Sequence, residues 1–189
     1  MSRQTTNTAT PTILAVDDLP EYLQLYEARL DDYDVRTAGD GESAIETIDE
    51  DVDVVLLDRS MPDVPGDDVL AYIREEGYDC QVAMVTAVEP DTDIVELGFD
   101  AYLVKPVSGD RLVDTVERLL RRSRYEDELE ELYALCSQRA ALAAEGKTEN
   151  EEYAELSARI EELRRSVDYA VTEFSPDDYR ATFRDIPEF

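Results

Sequence analysis

The chain of 189 residues carries 47 acidic against 18 basic side chains, a formal net charge of −29, and no histidine. Its length suffices for one well-buried domain and a smaller second one, and the missing histidine excludes histidine bases, metal ligands and phosphocarriers within the chain. No apolar run of about 18 residues and no basic segment ahead of an apolar core occurs, so a soluble, cytoplasmic protein without membrane contact is expected.

In chain order, residues 1–10, mostly Ser, Thr and Asn, read as a flexible tail. Residues 11–122 then alternate short apolar runs with helical stretches. Strands are expected over 12–16, 33–37, 53–57, 81–85 and 101–104, and helices over 19–30, 41–50, 65–76, 91–97 and 108–122. Five strands alternating with five helices argue for an α/β fold, a doubly wound, flavodoxin-like parallel sheet in the order 2-1-3-4-5. Ligands of such sheets bind beyond the carboxyl ends of the strands, near the switch point between strands 1 and 3. Strand 1 ends at Asp17-Asp18, strand 3 at Asp58, strand 4 at Thr86 and strand 5 at Lys105-Pro106.

Asp17, Asp18 and Asp58 would converge at one sheet edge, and three carboxylates there need a proton or a cation. Oxygen-only donors with room for water suit Mg²⁺. Asp58 is then the candidate nucleophile and phosphoacceptor, forming an aspartyl phosphate; Lys105 supplies a mobile positive charge and Thr86 a hydroxyl for a phosphoryl oxygen. Singly, each residue has a plainer reading: Asp-Asp after a strand caps a helix, and Lys-Pro or a terminal Thr is a loop residue. Their joint occurrence at four strand ends outweighs those readings.

Asp17-Asp18, Asp58-Arg59-Ser60-Met61-Pro62 with Gly66, Thr86-Ala87 and Lys105-Pro106 agree in order and spacing with the receiver domain of bacterial and archaeal response regulators, which the chain resembles over about residues 11–122. The resemblance implies a phosphoryl group taken from a histidine kinase of a two-component system. It also implies Asp18 and Asp58 as direct Mg²⁺ ligands with the Ser60 backbone carbonyl, and Asp17 acting through water. Pro106 would follow a cis peptide bond. Tyr102 matches the aromatic residue that moves as Thr86 turns toward the phosphoryl group. Arg59 departs from the family, which commonly carries an apolar residue there.

The second domain is expected over residues 125–189, an all-α hairpin or coiled coil. Ser108 with Asp110 caps the last receiver helix, and Leu112, Val116 and Leu119 form its apolar stripe. Polar Ser123 and Glu126 interrupt the heptad and set the domain boundary near residues 122–125, with a helix that runs through the boundary as the alternative. Leu129, Leu132, Cys136 and Ala143 resume the stripe until Gly146 stops it; Thr148 and Glu151 suggest a capping box. The next helix carries a seam of Tyr153, Leu156, Ile160, Leu163, Val167, Ala170 and Phe174, and Ser175-Pro176-Asp177-Asp178 opens a short final helix. Such a seam can close as a hairpin on the preceding helix, pair in a homodimer, or do both. This region resembles the HalX domain that follows receivers in haloarchaea, through its helical pair and the ending Asp177-Asp178-Tyr179 to Phe183-Arg184-Asp185.

Residues 125–189 hold 18 acids and 7 bases, a net of −11, and only Lys105 and Lys147 in the whole chain are lysine. An acidic, lysine-poor surface suits a salt-rich cytoplasm and disfavours DNA phosphates as a partner. The basic cluster Arg118, Arg121, Arg122 and Arg124 sits where a helix end attracts cations anyway. Output through dimerisation or a protein partner is therefore favoured, with a DNA-binding transcriptional regulator as the alternative. A phosphohydrolase is disfavoured because Ser60 stands where such enzymes need a second acid; slow loss of the chain's own phosphoryl group is the only catalysis expected.

Overall fold

The computed structural model describes residues 10–88 and 98–172. The helix expected over 91–97, Phe174, the final helix after Ser175 and all but the last residue of the expected tail lie outside them. The chain divides into two compact units, residues 1–120 and 121–189.

In the first unit the order is β1 (Thr12–Val16), α1 (Pro20–Arg29), β2 (Asp34–Ala38), α2 (Gly41–Thr47), β3 (Val52–Leu57), α3 (Gly66–Glu76), β4 (Gln81–Thr86) and β5 (Ala101–Val104), followed by the start of α4 (Gly109–Ala144). All neighbouring strands pair in parallel, in the order β2-β1-β3-β4-β5. Every residue of β1 and β4 is buried, which explains why these strands read as unbroken apolar runs rather than alternating ones. On one face Ala44 of α2, Ile48 just after it, and Val69, Leu70 and Ile73 of α3 pack with Leu14, Val16, Val55, Leu57, Val82 and Met84. On the other, Tyr26 and Leu30 join Leu112, Val116 and Leu119 over Ile13, Ala15, Val54, Leu56, Ala83 and Val85. The sheet is thus covered on both faces.

Several boundaries differ from expectation by a residue or more, and three of them have visible local reasons. β2 starts one residue later, because the Tyr33 amide closes a turn on the Leu30 carbonyl. α2 ends at Thr47 rather than 50: Ile48 adopts an extended backbone (ψ 135°) and buries its side chain, while the Asp49 carboxylate takes the Asp51 amide. α4 does not stop at 122, the end of the expected receiver helix, but runs through the boundary, the alternative that the sequence left open. The polar pair Ser123 and Glu126 breaks the apolar stripe, but the segment around it is Arg-, Glu- and Leu-rich and keeps its helical backbone.

In the second unit, α4 ends in a Schellman arrangement. The Lys147 amide reaches the Leu142 carbonyl at 2.9 Å and the Gly146 amide that of Ala143 at 3.1 Å, with Gly146 at φ 73°. The expected capping box at Thr148 is not the cap of α5 (Glu151–Thr172). That helix begins too late for it, and Asn150 instead accepts the Tyr153 amide at 2.8 Å. Of the seam on α5, Ile160, Leu163 and Val167 are buried, and Tyr153, Leu156 and Ala170 are partly so. The Arg159 guanidinium meets the Glu131 carboxylate at 3.0 Å across 28 residues, as the two helices of a hairpin would. On α4, Leu129, Leu132 and Cys136 are half-buried, whereas Ala143 is exposed.

Candidate functional site

Parallel pairing runs past the strands and assembles the site from backbone upward. The Asp17 amide donates to the Ala38 carbonyl, the Asp58 amide to Val16 at 2.9 Å, and the Lys105 amide to Thr86 at 2.8 Å. The residues just beyond β1, β3, β4 and β5 are therefore brought side by side. Asp17, Asp18 and Asp58 each offer a carboxylate oxygen, and these lie within 4.8 Å of one another. Asp17 and Asp58 are buried, and Asp18 is partly exposed.

Lys105 reaches in from β5. Its ammonium sits 2.6 Å from Asp17 Oδ2 and 2.7 Å from Asp58 Oδ2, with only 6% of its side chain exposed. Burial disfavours its charge, but the hydrogen bonds and fields of the two carboxylates outweigh that, and its pKa moves up. Burial likewise pushes the Asp17 carboxyl up, against the pull of Lys105 and of the Leu19 amide, which donates to Asp17 Oδ1 at 3.1 Å. One cation thus faces three acids, leaving the cluster net negative. Its hard oxygen donors, close together and accessible on the Asp18 side, fit a small divalent cation.

Two residues of the site escaped sequence reading. The Tyr22 ring lies 4.1 Å from the Lys105 ammonium, a cation–π contact, and the Tyr26 hydroxyl donates to Asp17 Oδ2 at 3.4 Å. Burial drives the Tyr26 phenol above its ordinary range, so it stays protonated as a donor. Their spacing of four along α1 was the available signal, but it equally marks an ordinary apolar face.

On the loop after β3, the Ser60 amide donates to Asp58 Oδ1 at 3.1 Å. Gly66 is required there by contact: its amide bonds the Arg59 carbonyl, and a Cβ would lie 2.2 Å from the Asp58 carbonyl oxygen. Thr86 is wholly buried, its hydroxyl oxygen accepting the Val88 amide at 3.4 Å. The Tyr102 hydroxyl donates to the Val88 carbonyl at 2.8 Å. The Lys105–Pro106 peptide is cis. Arg59 forms a two-pronged pair with Asp67, Nε and Nη2 lying 2.9–3.0 Å from its carboxylate oxygens.

Residues 13–117 match the response regulator receiver domain family, and residues 121–183 match the HalX domain. The chain belongs to the response regulator receiver family. This regulator is 50% identical over 164 residues to a Haloferax volcanii protein named provisionally as a transcriptional regulator, covering 84% of the chain and 28% of that protein. It is 39% identical over 121 residues to the transcriptional regulatory protein CpxR of Klebsiella pneumoniae, covering 61% of the chain and 52% of CpxR. The regulator thus spans about a quarter to a half of these relatives' lengths. Among solved structures, TrrA of Thermotoga maritima in complex with Mg²⁺-BeF is 32% identical, with a TM-score of 0.53 over 58% of this chain and 99% of that one. A receiver is the domain of a regulator, not a classical enzyme. Among the described residues no helix is long and apolar enough to cross a membrane.

Proposed function

We propose that this response regulator accepts a phosphoryl group on Asp58 from a partner histidine kinase inside the cell, and passes the change to its C-terminal helices. The observation that carries the reading is the cluster of Asp58, Asp17, Asp18 and Lys105 at the carboxyl edge of the sheet. With no histidine in this chain, a phosphohistidine donor must belong to the partner.

An Asp58 carboxylate oxygen bonds to phosphorus while the donor's phosphorus–nitrogen bond breaks and the imidazole nitrogen keeps the electron pair. Asp58 is held for this by the Ser60 amide and Lys105. The Lys105 ammonium, shared between Asp17 and Asp58, is within reach of the charge that arrives on the phosphoryl oxygens. Asp18 and Asp58, with the Ser60 carbonyl, would hold Mg²⁺ directly, and Asp17 would act through water. The ion, when bound, supplies the positive charge that three acids and one lysine lack. Lys105 and Tyr26 keep Asp17 oriented toward the same centre.

Thr86 and Tyr102 are the moving parts of this reading, linked through the amide and carbonyl of Val88. Inverting a two-state equilibrium from 1:99 to 99:1 needs about 5.5 kcal/mol, which a few charge-assisted hydrogen bonds to the phosphoryl group supply. The output is self-association or a protein contact through the C-terminal helices. A second reading, direct action on DNA, is favoured by the transcriptional names of the relatives but opposed by the net charge of −11 over residues 125–189.

Labelling with acetyl phosphate at high salt, with and without Mg²⁺, tests the reading, with Asp58→Asn as control and elution volume measured on the same samples. Metal-dependent labelling absent from Asp58→Asn is expected, with a shift to a larger species. Labelling that persists in Asp58→Asn refutes the assignment, and a salt-sensitive complex with promoter DNA at unchanged elution favours the second reading.

A further inference from the structure

The start of α1 is fastened to the acid cluster. The Leu19 amide donates to Asp17 Oδ1, and the Tyr22 amide donates to the Leu19 carbonyl at 3.0 Å. Pro20 suits the first helical position, where its missing N–H costs nothing and its fixed φ is already helical. Tyr22 and Tyr26, four residues apart, therefore project from one face of α1, with ring centroids 6.2 Å apart and planes inclined by 31°. Tyr26 is buried, and its hydroxyl reaches Asp17 Oδ2, the oxygen that also takes the Lys105 ammonium. Tyr22 is partly buried against the same core layer, and the ammonium lies over its ring. The contacts close a circle, from Lys105 to Asp17, Tyr26, Tyr22 and back to Lys105.

Lysine carries its charge on a flexible four-carbon stem, so a defined ammonium position needs contacts on more than one side. Of its three donors, two serve Asp17 and Asp58, 2.6 and 2.7 Å away. The negative face of an aromatic ring attracts the cation without adding a further charge to a cluster already rich in acids. That attraction is also weaker than a hydrogen bond between charged groups, so the ammonium can still advance toward an arriving anion. We infer that Tyr22 is a positioning residue for phosphoryl transfer: its ring face, backed by Tyr26, holds the Lys105 ammonium between Asp17 and Asp58, beside the place where the phosphoryl charge arrives. This rests on the reading of Asp58 as the phosphoacceptor.

Lys105 and Lys147 are the only lysines in the chain, so NMR of the full-length protein labelled with ¹³C and ¹⁵N in lysine alone resolves the ammonium directly. Spectra are taken cold, at high salt, without Mg²⁺ or phosphodonor; the Lys105 signals are those that remain in Lys147→Arg. Tyr22→Leu, which keeps an apolar cover but removes the ring, should speed exchange of the Lys105 ammonium protons with water about tenfold, within the range of a partly desolvated cation–π contact. The order parameter of its Cε group should fall as well, because the side chain is no longer held. Tyr22→Phe, which keeps the ring face, should stay near the parent in both, and Tyr22→Met replaces Tyr22→Leu if that variant folds poorly. Signals of Lys147, whose side chain is 55% exposed, should not change. Unchanged Lys105 signals in Tyr22→Leu, faster exchange at an unchanged order parameter (a ring that only shuts out water), or a Tyr22→Phe that behaves like Tyr22→Leu each overturn the inference. The rate of labelling by acetyl phosphate with Mg²⁺ should follow the same pattern, and equal rates in the parent and Tyr22→Leu overturn it too. No labelling of the parent refutes the phosphoacceptor reading instead, while the NMR pattern still decides whether Tyr22 holds Lys105.

Discussion

Replacing Lys105 by methionine removes the one cation from between two buried carboxylates while keeping the length and most of the volume of the side chain. Lys105, Asp17 and Asp58 have side chains 6%, 0% and 8% exposed, so water screens the loss poorly. Breaking a buried pair by deleting one partner destabilises by about 3–5 kcal/mol. A ceiling follows from titration: the chain can instead protonate a carboxyl, which for an ordinary group at pH 7 costs about 4 kcal/mol. The expected loss in Lys105→Met, in chelator at high salt, is therefore about 3–4 kcal/mol. Its pH dependence has a definite sign. The Asp17 carboxyl is already raised by burial and, without Lys105, rises further, so it binds its proton more tightly folded than unfolded. The deficit should be small below the unfolded carboxyl value of about 3.9, grow as pH rises through the folded value, and then level off. Added Mg²⁺ should recover more stability in the variant than in the parent, because no ammonium competes for Asp17 and Asp58. Denaturant unfolding at a series of pH values measures all of this. A loss below about 1 kcal/mol that does not change between pH 4 and 8 would refute the picture of Lys105 as the main counter-charge of the cluster.

Gly66→Ala should destabilise by about 1–3 kcal/mol or more, because its Cβ would meet the Asp58 carbonyl oxygen at 2.2 Å and the loop carrying Asp58 must move; thermal unfolding and slower acetyl phosphate labelling should report it together. Burial pushes the Cys80 thiol up to about 11, so at pH 8 only about one part in a thousand is thiolate; alkylation followed by mass spectrometry should modify the half-buried Cys136 first, with Cys80 reacting only on unfolding. Asn150→Ala should cost about 1 kcal/mol through loss of the α5 cap, and Thr148→Ala much less, read as helicity loss on heating.

The sheet was legible in the sequence because a parallel sheet covered on both faces demands continuous apolar runs, and β1, β3 and β4 supply them at helix-sized intervals. The acids, Thr86 and Lys105 were legible because each directly follows, or ends, such a run, and connection rules bring those ends to one edge. Less legible was anything set by competition between neighbours. Thr148 and Asn150 are both good cap residues, and only the observed helix start selects Asn150. Ser123 and Glu126 look like a break because they interrupt burial, yet backbone helicity does not need an apolar stripe at every turn. The sequence by itself determined the fold class, the strand order and the set of ionisable groups at the strand ends, since these depend on periodicity and chain order. Only the tertiary structure decided that Lys105 spans Asp17 and Asp58, that Tyr22 and Tyr26 close over that pair, and that Arg59 turns to Asp67. Those are meetings of side chains distant in sequence, fixed by packing within an ångström, and no local pattern encodes a distance of that kind.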